Sequence, residues 1–325
     1  MATPISIKRM RKERLTLEKP NPNYFVLFKD DDLLSLDAYV YGAPDSLYAH
    51  KLLKVHIDIP EKYPFSPPKV KFIQHGHGRI HPNLYVDGKV CLSILGTWPG
   101  EPWALAMTVE TVLITIRSLL DNKPFMHEPG GKDDPCFNQW VEYAGWKLHL
   151  LDHLERETEP VFQAFLHHYM QKSGANILRE LEQQAAKNRS ISQLSNRYDR
   201  TVVSIDYPAL KEQLSTRIIK ADGELVRLKL AAPHGYDVLQ ALQRLTAAAS
   251  PAKSEVATAT VEVKSITSTA PELAPRQSRL YFQPNVQEQR KVSPAKRQAQ
   301  SDSAVADHSP HKKQKPIEAG VIDLT

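Results

Sequence analysis

The hydrophobic positions change period along the chain, and the changes mark the elements. Leu53, Val55, Ile57 and Ile59 alternate with Lys54, His56 and Asp58, the period of two of a strand with one face buried and one wet. Val70 and Phe72 alternate with Lys69 and Lys71 in the same way. Tyr24 to Phe28 and Asp37 to Tyr41 are compact apolar runs of strand length, the second closed by Gly42-Ala43-Pro44-Asp45. Four successive strands with short connections predict an antiparallel meander. Between the third and fourth lies Tyr63-Pro64-Phe65-Ser66-Pro67-Pro68, whose prolines stiffen a loop that presents Tyr63 and Phe65 at a fixed angle.

Helical spacing flanks these strands. Ile7 to Lys19 reads as a helix that ends before Pro20-Asn21-Pro22, with Met10 and Leu17 on one face and Arg14 between them. Val109, Val112, Leu113, Ile116, Leu119 and Leu120 make the strongest stripe; Thr108 suits its N-cap and Glu110 the positive end of its dipole. This helix should lie buried against the sheet. Trp140, Val141, Ala144, Leu148, Leu151 and Leu154 continue the helical period after a polar, turn-rich stretch from Asp121 to Asp134. Pro160 opens a further helix through Phe162, Phe165, Tyr169, Ile177 and Leu181. Val202, Val203 and Ile205 read as a short strand, and Leu210, Leu214 and Ile218, then Val238, Leu239, Leu242 and Leu245, as helical stripes. From about Ala247 the apolar pattern stops. Residues 246–325 hold seven prolines, one glycine, and only Tyr281 and Phe282 as aromatics, a composition that cannot bury enough to fold. The organisation expected is a core domain over 1–156, a mainly helical extension over 157–245 and a disordered tail over 246–325.

Charge adds a basic end and a basic tail to a near-neutral body. Lys8, Arg9, Arg11, Lys12 and Arg14 face a single acid, Glu13. Residues 251–325 carry 11 Lys/Arg and 8 Asp/Glu. The first helix is thus either a solvated amphipathic helix or a docking surface for an acidic partner. A nucleic-acid binder would show its basic patch across the folded core, so no nucleic-acid partner is expected. No apolar run is long enough to span a bilayer, and Met1 to Arg9 lack the apolar centre of a secretory signal. With Cys91 and Cys136 far apart, the expectation is a reducing compartment and free thiols.

The chemistry concentrates in Ile80 to Leu95. His81-Pro82-Asn83 precedes Cys91, and Val86-Asp87-Gly88-Lys89 between them can reverse the chain because Asp-Gly tolerates positive φ. A reversal folds the Asn83 side chain back toward the Cys91 sulfur. A thiol facing an amide donor suits acyl transfer. An inert buried cysteine is the competing reading.

One basic helix, four strands, Tyr-Pro-Phe-x-Pro-Pro, His-Pro-Asn, Gly-Lys-Val-Cys-Leu, a Trp-bearing loop and an apolar helix, collinear over about residues 5–125, resemble the ubiquitin-conjugating enzymes. Cys-Leu-Ser-Ile-Leu-Gly-Thr-Trp and the helical extension are most similar to the large Z-type members. The resemblance implies an α+β fold with an N-terminal helix, a four-stranded antiparallel meander and a central helix. It implies that Cys91 accepts ubiquitin, or a ubiquitin-like protein, as a thioester from an activating enzyme. Transfer to a substrate lysine follows, usually with a ligase. No cofactor is bound in this scheme, because the activating enzyme uses the ATP. Asn83 matches the family asparagine that stabilises the oxyanion or ties the loop, with His81 and Pro82 structural. Family members often place an acid where His127 and Glu128 lie, and Asp two residues after the cysteine, where this chain has Ser93. His127 or Glu128 is therefore the candidate for orienting the amine, against a plain surface loop. Lys8, Arg9, Arg11 and Lys12 match the surface that meets the activating enzyme, and Phe65, Trp98 and Trp103 the surface that meets ligases. A silent ubiquitin- or SUMO-binding adaptor of the same fold and a Cys–His hydrolase are the competing classes. A zinc site from His75, His77, His81 and Cys91 fits no standard spacing and would quench the nucleophile.

In the tail, Lys296-Arg297 and Lys312-Lys313-Gln-Lys315 resemble a bipartite nuclear import signal, with Ser293-Pro294 and Ser309-Pro310 nearby as candidate phosphorylation sites. Residence in nucleus and cytoplasm is the expectation. Val321, Ile322, Asp323 and Leu324 resemble a SUMO-interacting motif, a strand that adds to a sheet edge of SUMO.

Overall fold

Pro4 opens the first helix, α1 (Pro4–Leu17), three residues ahead of the start that the sequence suggests and with its end two residues earlier. The computed structural model describes residues 4–29, 32–231, 240, 242–243 and 321–322. The buried positions of α1 are Ser6, Met10, Glu13 and Leu17, so its inner face is half polar. Glu13 is the reason. Its Oε1 accepts from Tyr63 Oη at 2.6 Å and from Arg9 Nε at 2.5 Å, and its Oε2 accepts from the Val109 amide at 2.9 Å. That amide is the first of the next helix, where free N–H groups and the helix dipole favour an anion.

The strands β1 (Tyr24–Lys29), β2 (Asp32–Tyr41), β3 (Leu52–Asp58) and β4 (Lys69–Ile73) form one antiparallel sheet in the order β1-β2-β3-β4, the expected meander. Helix α2 (Val109–Ser118) packs on β2 with Val109, Val112, Leu113 and Ile116 buried. Thr108 caps it as predicted, in a reciprocal capping box with Thr111 rather than with an acid. The proline-rich loop departs from expectation at Tyr63, which is fully buried on Glu13, while Phe65 stays 65% exposed.

The polar face of β3 is covered at Lys54 and exposed at its end, Asp58. Lys54 lies under the chain that follows the core, its Nζ 2.6 Å from Glu157 Oε2 and 4.9 Å from the centre of the Phe162 ring. Beside it Tyr39 donates to Glu157 at 2.6 Å, and Phe25 stacks on Phe165 at 4.6 Å. The roof is helix α5 (Pro160–Lys187), preceded by α3 (Pro135–Trp146), a π-helical turn (Lys147–Leu151) and α4 (Asp152–Arg156) in one continuous run. The alternating pattern of β3 alone conceals this roof; Phe25, Tyr39 and Tyr41 on the neighbouring strands are aromatic on the same face.

The hairpin β5 (Gln193–Ser195) and β6 (Val202–Ser204) follows α5, and helix α6 (Tyr207–Ala231) returns along α5. Gly174 allows this approach, since a Cβ there would lie 2.8 Å from Ile218 Cγ2. β5 was not legible as a strand, for Gln193-Leu194-Ser195 has a single apolar residue. Strand β7 (Val321–Ile322) pairs parallel to β6, with Val202 opposite Val321 and Val203 opposite Ile322. All described residues belong to one compact unit. The basic clusters, the serine–proline pairs and nearly all of the tail predicted to be disordered lie outside the described residues, as do Asp323 and Leu324.

Candidate active site

The reversal at Asp87-Gly88 forms as the sequence suggests. Gly88 has φ of 97° and donates its amide to Tyr85 O at 3.0 Å. Asp87 Oδ1 accepts from the Lys89 amide at 3.0 Å, the local bond that makes Asp a turn residue. The two arms then run side by side. The Cys91 amide donates to Asn83 O at 2.8 Å, and Asn83 Nδ2 donates to Cys91 O at 2.7 Å. Both residues are buried, Cys91 at 1% exposure. The Asn83 amide is therefore bound to the main chain of the cysteine, the loop-tying arrangement, while its Oδ1 is buried and unbonded.

Two residues that sequence reasoning passed over complete the cradle. Thr97 Oγ1 donates to Val90 O at 2.6 Å and accepts from the Leu92 amide at 3.0 Å, holding both neighbours of Cys91. Arg79 donates through Nε to His81 O at 3.2 Å and through Nη2 to Pro82 O. Its guanidinium lies 3.5 Å from the Tyr85 ring centre. Neither had a spacing signal, because a hydroxyl or guanidinium bonding to carbonyls needs only the right turn.

His81 is fully buried, and burial, helped by the neighbouring His127, lowers its pKa to about 3. It is a neutral acceptor: Nδ1 takes the Asn83 amide at 3.0 Å, which leaves the ring proton on Nε2. Its ring centre is 4.9 Å from that of His127, so residue 127 reaches Cys91 through three contacts, by way of His81 and Asn83. His127 Nε2 lies 2.9 Å from Asp121 Oδ2. Burial works to raise the Asp121 pKa, but the His127 bond and the Lys123 amide hold it below the usual carboxylate value. Glu128, next in the chain, accepts from Tyr198 Oη at 3.0 Å. The structure thus gathers Cys91, Asn83, His81, Pro82 and His127 into one neighbourhood, while Glu128, next to His127 in the chain, is bonded to Tyr198 of the hairpin.

The docking candidates divide. Lys8, Arg11 and Lys12 are exposed on α1, whereas Arg9 is spent on Glu13 and on Met107 O at 2.8 Å. Trp98 is 37% exposed and Phe65 65%. Trp103 is half-buried, donating Nε1 to Pro64 O at 2.7 Å and packing on Tyr63, so it braces the two loops against each other. Val321 and Ile322 lie in β7 on this chain's own β6.

A basic helix, a four-stranded meander, a central helix and a buried thiol paired with the His-Pro-Asn turn define a ubiquitin-conjugating fold. Residues 9–135 match the family model described as ubiquitin-conjugating enzyme, and this stretch of the chain belongs to that family. Within it the chain is similar to the Z-type enzymes: it is 35% identical over 158 residues to ubiquitin-conjugating enzyme E2 Z of Danio rerio, covering 46% of this chain and 48% of that protein. It is also 31% identical over 252 residues to the dual E2 ubiquitin-conjugating enzyme/E3 ubiquitin-protein ligase BIRC6 of Homo sapiens, covering 71% of this chain and 5% of that one. A solved structure of human ubiquitin-conjugating enzyme E2 G1 is 34% identical over 40% of this chain and all of that chain, with a TM-score of 0.33. The chain spans about half the length of the E2 Z proteins that it matches.

Proposed function

We propose that this chain accepts ubiquitin or a ubiquitin-like protein from an activating enzyme as a thioester on Cys91 and passes it to a substrate lysine, usually together with a ligase. The observation that carries the reading is the pair of bonds between Asn83 and Cys91, which holds a free thiol in the turn that the family motif predicts. Sulfur is a good nucleophile and a good leaving group, so one atom serves both to take and to release the acyl group. The neutral His81 supplies no charge to the site and supports the turn. Exposed Lys8, Arg11 and Lys12 suit the activating enzyme, and exposed Phe65 and Trp98 suit a ligase. The segment from Val321 binds SUMO by strand addition, and the protein works in nucleus and cytoplasm.

Incubation with activating enzyme, ATP and ubiquitin tests the central step. The expected product is an adduct that a thiol reductant removes. Cys91→Ser should convert it to a reductant-resistant ester, and Cys91→Ala should abolish it. An adduct that survives in Cys91→Ala would sink the reading.

A further inference from the structure

The hairpin β5–β6 comes from the extension, yet its tip closes on the neighbourhood of Cys91. Asn196 is fully buried; its Nδ2 donates to Arg79 O at 3.0 Å and its Oδ1 accepts from the Tyr198 amide at 2.8 Å. Arg197 pairs with Asp134 at 2.5 Å and lies 4.1 Å from the Phe125 ring centre. The Tyr198 ring is 4.3 Å from the Arg79 guanidinium and 5.5 Å from the Phe137 ring. So one turn grips Arg79, which braces His81 and Pro82, and also the loop that carries His127 and Glu128. At its centre the Tyr198 hydroxyl donates to Glu128 Oε2 at 3.0 Å. Burial and then that bond raise the phenol pKa well above its ordinary value, which keeps it a donor at any working pH. Among the described residues this is the one side-chain hydrogen bond that the Glu128 carboxylate makes. A half-buried carboxylate held by one oxygen, with the other free, is set up to receive an ammonium group.

We propose that Tyr198 is a positioning residue for acyl transfer to lysine: its hydroxyl fixes the Glu128 carboxylate where the incoming amine arrives. The proposal rests on Cys91 being the carrier. In the step it serves, Glu128 holds the lysine ammonium until the nitrogen loses a proton to solvent. The nitrogen lone pair then forms the C–N bond at the thioester carbonyl, the C–S bond breaks, and its electron pair leaves on Cys91 Sγ. A second proton leaves nitrogen and restores the neutral thiol. Tyr198 touches none of the reacting atoms; it acts through Glu128. The extension thereby becomes part of the acceptor site.

Tyr198→Phe is the test, since it removes the hydroxyl and keeps the ring that packs on Arg79 and Phe137. The charged full-length chain is discharged with free lysine and, separately, with dithiothreitol, which attacks as a thiolate and needs no carboxylate to hold it. We expect unchanged charging, unchanged thiolysis and lysine discharge slowed roughly tenfold, the scale of one lost hydrogen bond to a charged group. Tyr198→Phe added to Glu128→Gln should cost nothing further. Wild-type lysine discharge in Tyr198→Phe overturns the proposal, and so do additive effects of the two substitutions. Loss of charging, thiolysis and lysine discharge together marks a purely structural role and overturns it as well. A wild-type chain that takes up no ubiquitin fails one step earlier, at Cys91, and removes the reading beneath this one.

Discussion

Asn83 shows how much a single side chain decides at this site. Its amide donor is committed to Cys91 O at 2.7 Å, inside a turn where both residues are buried. Removing the side chain strands a buried carbonyl, which costs about 1–3 kcal/mol. Asn83→Ala is therefore expected to lower the unfolding free energy of the uncharged protein by that amount, read from denaturant titration, besides slowing transfer. Unchanged stability with slowed transfer would instead assign the amide to the oxyanion alone. Ser93 gives the same lesson in reverse. Where typical family members carry an acid near the thiol, this chain has a hydroxyl, and the acid linked to the site by contacts is Asp121, through His127 and His81.

Elements matter here through their edges and ends. The first amide of α2 is met by Glu13 of α1, so two helices are joined by one carboxylate. The outer edge of β6 is met by β7, in parallel register over Val202 and Val203. While β7 lies on β6, one of its two edges is already paired, so a second sheet would have to use the other edge or displace β7 from β6. If residues 321–324 bind SUMO, the full chain should bind it more weakly than a free peptide of residues 316–325. Ile322→Ala should abolish binding of that peptide. Titration of labelled SUMO with chain and peptide reads both; equal affinities for the peptide with and without Ile322→Ala would retire the SUMO assignment.

Across the whole molecule, folding encloses imidazoles that stay neutral. Burial lowers the pKa of His149 and of His81 to about 3, and that of His153 well below its ordinary value. Neither nitrogen of His149 has a hydrogen-bond partner, and its ring lies 5.8 Å from that of Phe72. An unfolded histidine takes its proton near pH 6.5, while these refuse it until far lower. The unfolded chain thus binds more protons across that window, and stability falls as pH falls. It is complete above pH 6.5 and declines by about 1.4 kcal/mol per pH unit for each such histidine. Denaturant unfolding at pH 7.5 and pH 5 should show the loss, and His149→Leu should reduce its slope. An unchanged slope would mean that His149 is protonated in the folded chain.

What could be read directly from the order of residues is what depends on near neighbours. The period of two in β3, the cap at Thr108, the turn at Asp87-Gly88 and the return of Asn83 to Cys91 all involve groups within about ten positions, so local backbone preference decides them. The meander follows from such pieces because short connections leave few topologies. The roof over Lys54, the anchoring of α1 through Glu13 and the grip of Tyr198 on Glu128 join positions 103, 96 and 70 residues apart. Which partner a polar side chain finds at that distance depends on how whole helices pack, and no local pattern records it. The cysteine and its turn were therefore written in the sequence, while the extension's place beside the loop of His127 and Glu128 was decided by tertiary packing alone.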